Sequence, residues 1–129
     1  MFSWQRPGNL GVKDGRLAPC RRTPNCVSSQ ADPADREHYI PPIAFKGNFN
    51  EVSKLVEAMP GASLIRNESN YLYAQYRTRL MRFVDDLELF YDASAGRLDV
   101  RSASRLGRRD FGVNRKRVER LRALIQAAR

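Results

Sequence analysis

The sequence predicts an α+β domain: a four-stranded antiparallel meander covered on one face by two helices, with an extended N-terminal arm. Three observations carry this expectation. Residues 48–59 and 114–127 repeat apolar side chains at helical spacing. The segments between them alternate with a period of two, and residues 1–45 are broken by "PNC", "ADPAD" and "YIPPI". With 129 residues the chain is one unit with a modest core, divided into an arm over 1–45 and an α+β domain over 46–129.

Trp4, Leu10, Val12, Tyr39, Ile40 and Phe45 are the side chains expected to pin the arm, with the first 15 residues loose. The first helix starts at Asn48, which caps it while Glu51 reaches back; Val52, Leu55, Val56 and Met59 form its apolar face and Pro60-Gly61 stops it. Strands follow over 62–68, 70–78, 83–91 and 96–104, joined by "RLMR" and "DASA" turns. The last helix carries Val118, Leu121, Leu124, Ile125 and Ala128 on one stripe.

Strand alternation puts Asp85 on the core face with Phe83, Leu87, Leu89 and Tyr91. Closing "DASA" sets Asp85 opposite Ser102, and closing "RLMR" sets it beside Tyr76 or Thr78. A carboxylate there requires a partner, for which Arg105 and Arg115 are the candidates. The same sheet edge leads through Gly107, Asp110 and Gly112 into the last helix, with Asn114 as its expected N-cap. Arg115, Lys116 and Arg117 then crowd the positive end of a helix dipole, so acidic groups belong nearby. Thr78, Asp85, Ser102, Ser104, Arg105, Asp110, Asn114 and Arg115 are therefore the candidate ligand-binding residues. They serve either as an internal strut or as the lining of an anion pocket.

The net charge of +9 attracts nucleic acid, anionic lipid or acidic metabolites. The reading that best fits the edge is a non-catalytic domain binding a small anion or an acidic group on a partner. Two alternatives stand beside it. One is an enzyme using Asp85 as general base next to Ser102 or Ser104, which lacks a neighbouring histidine or a recognised catalytic spacing. The other is weak, sequence-independent nucleic-acid binding through Arg115, Lys116, Arg120 and Arg122, helped by Tyr71, Tyr73 and Phe90 if these face solvent. No cofactor motif is present. Two cysteines and His38 fall short of a zinc set, so Cys26 is expected to be a buried, free thiol. A Cys20–Cys26 disulfide is sterically allowed but unusual in the cytoplasm, the default compartment for a chain with neither a secretion signal nor a membrane-length apolar run.

"PNCVSS", "TRLMRFVDDLELFYD" and "VRSASRLGRRDFGVNRKRVE" resemble the bacterial and plant family called domain of unknown function 1499, from about residue 17 to the end. The resemblance implies one conserved unit and supplies no activity. It also implies relatives with membrane-spanning or targeting segments before the domain. Where such relatives carry an acidic residue or proline after the first cysteine, this chain has Arg21-Arg22, which adds charge near the arm.

Overall fold

The computed structural model describes residues 5–77, 84–107 and 109–128. Its elements in chain order are β1 (Cys26–Ser28), β2 (Ile43–Ala44), α1 (Phe49–Ala58), β3 (Ala62–Asn67), β4 (Tyr71–Arg77), β5 (Val84–Asp92), β6 (Arg97–Ser104) and α2 (Val113–Ala127). They form an antiparallel sheet of six strands and two helices, an α+β fold. No described helix is long and apolar enough to cross a membrane.

The strand count corrects the expectation of four. β3 to β6 lie side by side in chain order, and the arm adds β1 and β2 along the free edge of β6. Cys26–Ser28 pairs with Arg101–Ala103, and Ile43–Ala44 with Arg97–Leu98. Strands of three and two residues are too short to show alternation, so they read as irregular chain. The pairing turns β6 into an interior strand and removes an edge that would otherwise expose unpaired backbone groups.

The two faces of the sheet have different covers. On one, Val52 and Val56 of α1, Met59 directly after it, and Val118, Leu121 and Ile125 of α2 pack on Leu72, Ala74, Leu87, Leu89, Leu98 and Val100. Val27, Ile40, Ile43 and Phe45 from the arm join this core. On the other, Leu10, Val12 and Leu17 lie over Tyr71, Tyr73 and Phe90. Leu10 and Val12, which fall within the first 15 residues expected to be loose, thus form with Leu17 a layer of the fold. Trp4, Thr78 and Phe83 lie outside the described residues.

At α1, Asn48 caps by accepting from Asn50 N at 2.9 Å. At the β5–β6 turn, Asp92 pairs with Arg97, which leaves four residues, 93–96, in the turn. Asp92 Oδ1 accepts from Ser94 Oγ at 2.7 Å and Ala95 N at 3.1 Å, and Gly96 closes the turn at φ 65°. The turn has the same four-residue length as the expected "DASA" turn but sits one position later in the chain, and this shifts the register by two residues. Asp85 faces Ser104 rather than Ser102, and Ser102 faces Leu87.

Candidate functional site

The basic start of α2 is reconciled one cation at a time. Gly112 is the N-cap, with φ 76°, and has no side chain to accept a bond. Asp110 substitutes for it: Oδ1 accepts from Gly112 N at 2.9 Å and Oδ2 from Asn114 N at 3.1 Å. Asn114, expected as the cap, is the second residue of the helix and points into the sheet. A carboxylate at this position also offsets the helix dipole.

Arg115 turns outward to the arm and donates to the carbonyls of Tyr39 at 2.9 Å, Arg36 at 3.2 Å and Glu37 at 3.3 Å. Arg117 turns inward. It donates to Asp85 Oδ2 at 2.8 Å, Asn114 Oδ1 at 2.8 Å and Ser102 Oγ at 3.3 Å, and it lies over the Tyr76 ring at 4.5 Å. Its side chain is only 8% exposed. Lys116 remains exposed.

The partner of Asp85 is therefore Arg117, not Arg105 or Arg115. Helical spacing held the missed signal: positions 114, 117, 118, 121 and 125 form one stripe, so Arg117 shares the buried side with Val118. Asp85 is 1% exposed. Burial pushes its carboxyl above the ordinary range, while Arg117 and the Ser104 hydroxyl pull the other way. Asp85 Oδ1 has no hydrogen-bond partner among the described residues.

Asn114 ties this network together. Its Nδ2 faces Ser104 Oγ at 2.9 Å, Asp110 Oδ2 at 2.8 Å and Asn25 O at 3.3 Å, while Oδ1 accepts from Ser102 Oγ at 2.6 Å. Of the candidate residues, Asp85, Ser102, Ser104, Asp110 and Asn114 thus converge. Arg105 instead leaves β6 toward the opposite face and binds Asp86 through Nε and Nη2, both at 3.0 Å. Arg115 lies outside the buried network.

In front of it a cavity of about 370 Å³ opens beside the start of α2. Arg109, Asp110, Phe111, Gly112 and Arg115 line one side; Pro24, Val27 and Glu37 line the other. Phe111 is 84% exposed and has φ 54°, a left-handed conformation uncommon for a bulky residue. A broader concavity of about 720 Å³ shares Pro24, Glu37 and Arg109 and adds Arg22 and Thr23.

Cys26 is buried as expected, but it is not free: Cys20 and Cys26 form a disulfide. The short loop between them permits the closure, and Cys26 is consequently no nucleophile. His38 binds Asp35 Oδ2 through Nδ1 at 2.7 Å and the Thr23 carbonyl through Nε2 at 2.9 Å. With both ring nitrogens engaged, the Asp35–Glu37–His38 group has no free imidazole donor for a metal.

Tyr71 and Tyr73 are buried beneath the arm, so they present no stacking surface. Arg122 donates to the carbonyls of Pro41 and Pro42 and to Glu119, which leaves Lys116 and Arg120 as the exposed cations of that helix among those considered for phosphate contact. No curated protein and no solved structure matches the chain. The family model described as "Protein of unknown function (DUF1499)" matches residues 16–125, and the chain belongs to that family.

Proposed function

We propose that this protein is a non-catalytic binding domain that receives an acidic group of a partner protein at the start of α2. The observation that carries the reading is Phe111, exposed and held in left-handed backbone at the mouth of a cavity that also presents Arg109 and Arg115. An aromatic side chain beside guanidinium groups is the chemistry that dominates protein interfaces. The buried Asp85–Arg117–Asn114 network supports it from behind by fixing the helix against the sheet. It acts as scaffold in this reading, so ligand contact passes from Asp85 and Ser102 to Arg109, Phe111 and Arg115.

Asp85 as a general base has less support, because a carboxyl 1% exposed and paired to Arg117 meets substrate only if α2 moves. The test is an NMR titration of the full chain with peptides that combine Asp or Glu with an apolar residue. Amide shifts are expected at Pro24-flanking residues, Val27 and residues 109–115, and Phe111→Ser should abolish them without lowering the melting temperature. Shifts confined to other surfaces, or an unaffected Phe111→Ser variant, would refute the reading.

A further inference from the structure

The face of the sheet beneath the arm holds a separate cavity of about 110 Å³. Arg101 and Arg105 of the β6 side line it, with Asp86 from β5 and with Arg21, Asn25 and Cys26 from the arm. Arg105 is occupied by its two bonds to Asp86. Arg101 is not so matched. Its side chain is 7% exposed, yet its ion-pair contact, Nη1 to Glu88 Oε1, is 3.8 Å, beyond hydrogen-bond reach.

Arg101 Nε and Glu88 Oε1 both lack hydrogen-bond partners among the described residues. Glu88 instead spends its Oε2 on Tyr71 Oη at 2.6 Å and Gly11 N at 2.7 Å. A buried guanidinium with an orphaned donor is costly unless something in the cavity accepts from it. Arg21 raises the cost. Burial depresses the Arg101 guanidinium below its usual range; Glu88 and Asp86 oppose this, and the charge of Arg21 adds to it. Two like charges are thus brought to one small, polar-lined space. At roughly 30 Å³ for a water molecule, that space admits an oxyanion head group but not a nucleoside.

We propose that this cavity binds one small oxyanion, a carboxylate or phosphate group, between the buried Arg101 and the rim residue Arg21. A guanidinium suits this ligand because its N–H groups engage two oxygens at once. The Cys20–Cys26 bridge contributes by position: Arg21 follows Cys20 directly and Cys26 lines the cavity, so the disulfide loop carries the rim cation. The site lies across the sheet from α2 and does not depend on the function proposed for that edge.

The experiment is calorimetric titration of the full, oxidised chain with inorganic phosphate and with acetate at constant ionic strength, chloride serving as control. Saturable binding of one of the two is expected, and the tighter ligand identifies the head group. Arg21→Gln, at an exposed position, should weaken it about tenfold, the equivalent of one charge-assisted bond. Lys54→Gln, an exposed cation of α1 that belongs to neither cavity, should leave it unchanged, and reduction of the disulfide should weaken it. Binding lost in Arg109→Gln but kept in Arg21→Gln would overturn the proposal by moving the anion to the other site. Heats indistinguishable from chloride would also overturn it, the cavity then holding only water between Glu88 and Arg101.

Discussion

The two faces of one sheet solve the burial of charge in different ways. Beneath the helices, the core is apolar except at one corner, where Asp85 meets Arg117 at 2.8 Å and Asn114 Oδ1 accepts from both Arg117 and Ser102. Beneath the arm, Asp86, Glu88, Asp99 and Arg101 are all buried with Tyr71 and Tyr73, and the matches are uneven. Asp86 has a two-bond partner in Arg105, whereas Glu88 and Arg101 stand 3.8 Å apart. Helices bring long apolar stripes that leave little room for ions. The arm brings backbone N–H groups and small side chains, so charges on that face are satisfied piecemeal. A closed pair is a structural device; the open pair beside a cavity leaves Arg101 Nε and Glu88 Oε1 unmatched among the described residues, and the proposed anion site rests on that.

The largest expected effect breaks the closed pair. Asp85→Asn should cost about 3–5 kcal/mol in denaturant unfolding, because Arg117 is left buried without its carboxylate. Replacing both, Asp85→Leu with Arg117→Met, should restore most of that loss, since burial already disfavours the charged carboxyl. A single variant as stable as the parent would show that the corner is wet and that the contrast between the faces is false.

On the arm face, Tyr71→Phe should cost roughly 1.5–3 kcal/mol, the range for a hydrogen bond to a charged group. Glu88 Oε2 then relies on Gly11 N alone, so hydrogen exchange at Gly11 should accelerate more than at the helix-covered core. Uniform acceleration everywhere would mean that the arm and the helices unfold as one unit.

The disulfide addresses how the arm is held. Replacing Cys20 and Cys26 with serine should lower stability by about 2 kcal/mol, the loop-closure estimate for so short a ring. The intact chain should weigh two hydrogens less than its reduced form and resist thiol labelling. Rapid labelling of Cys26 in the native chain would contradict the bridge.

The smallest effect is a pH dependence at the arm's own ion pair. Burial lowers the affinity of His38 for its proton, but Asp35, the Thr23 carbonyl and Glu37 outweigh it and raise the pKa above 6.5. A raised folded value means that this stabilisation is complete below about pH 6.5 and is lost as pH rises through the folded pKa. The Asp35 side chain is 44% exposed, so solvent screening keeps the effect small. The melting temperature should drop slightly over that interval in the parent and not in His38→Gln; parallel curves would remove the pair from the account.

Part of this was legible in the residues alone. Apolar spacing located both helices, alternation located β3 to β6, and the lone carboxylate among Leu87 and Leu89 marked Asp85 as a buried, partnered group. These are local signals, set by the geometry of one helix turn or one pleat. The partner of Asp85 was written in the same stripe as Val118, but two other arginines were equally good candidates by charge. Distance along the chain does not rank them.

What the tertiary structure decided depends on contacts between distant segments. A one-residue displacement of one turn moved Ser104 into the place expected for Ser102. Backbone pairing made strands of residues 26–28 and 43–44, which carry no periodic pattern of their own. Folding the arm back buried Tyr71 and Tyr73 and set Arg21 beside Arg101, which lies 80 positions later in the chain. Composition and spacing thus determined which faces needed covering. Only long-range packing determined what covered them, because hydrogen-bond register and charge pairing are properties of two segments together and not of either one.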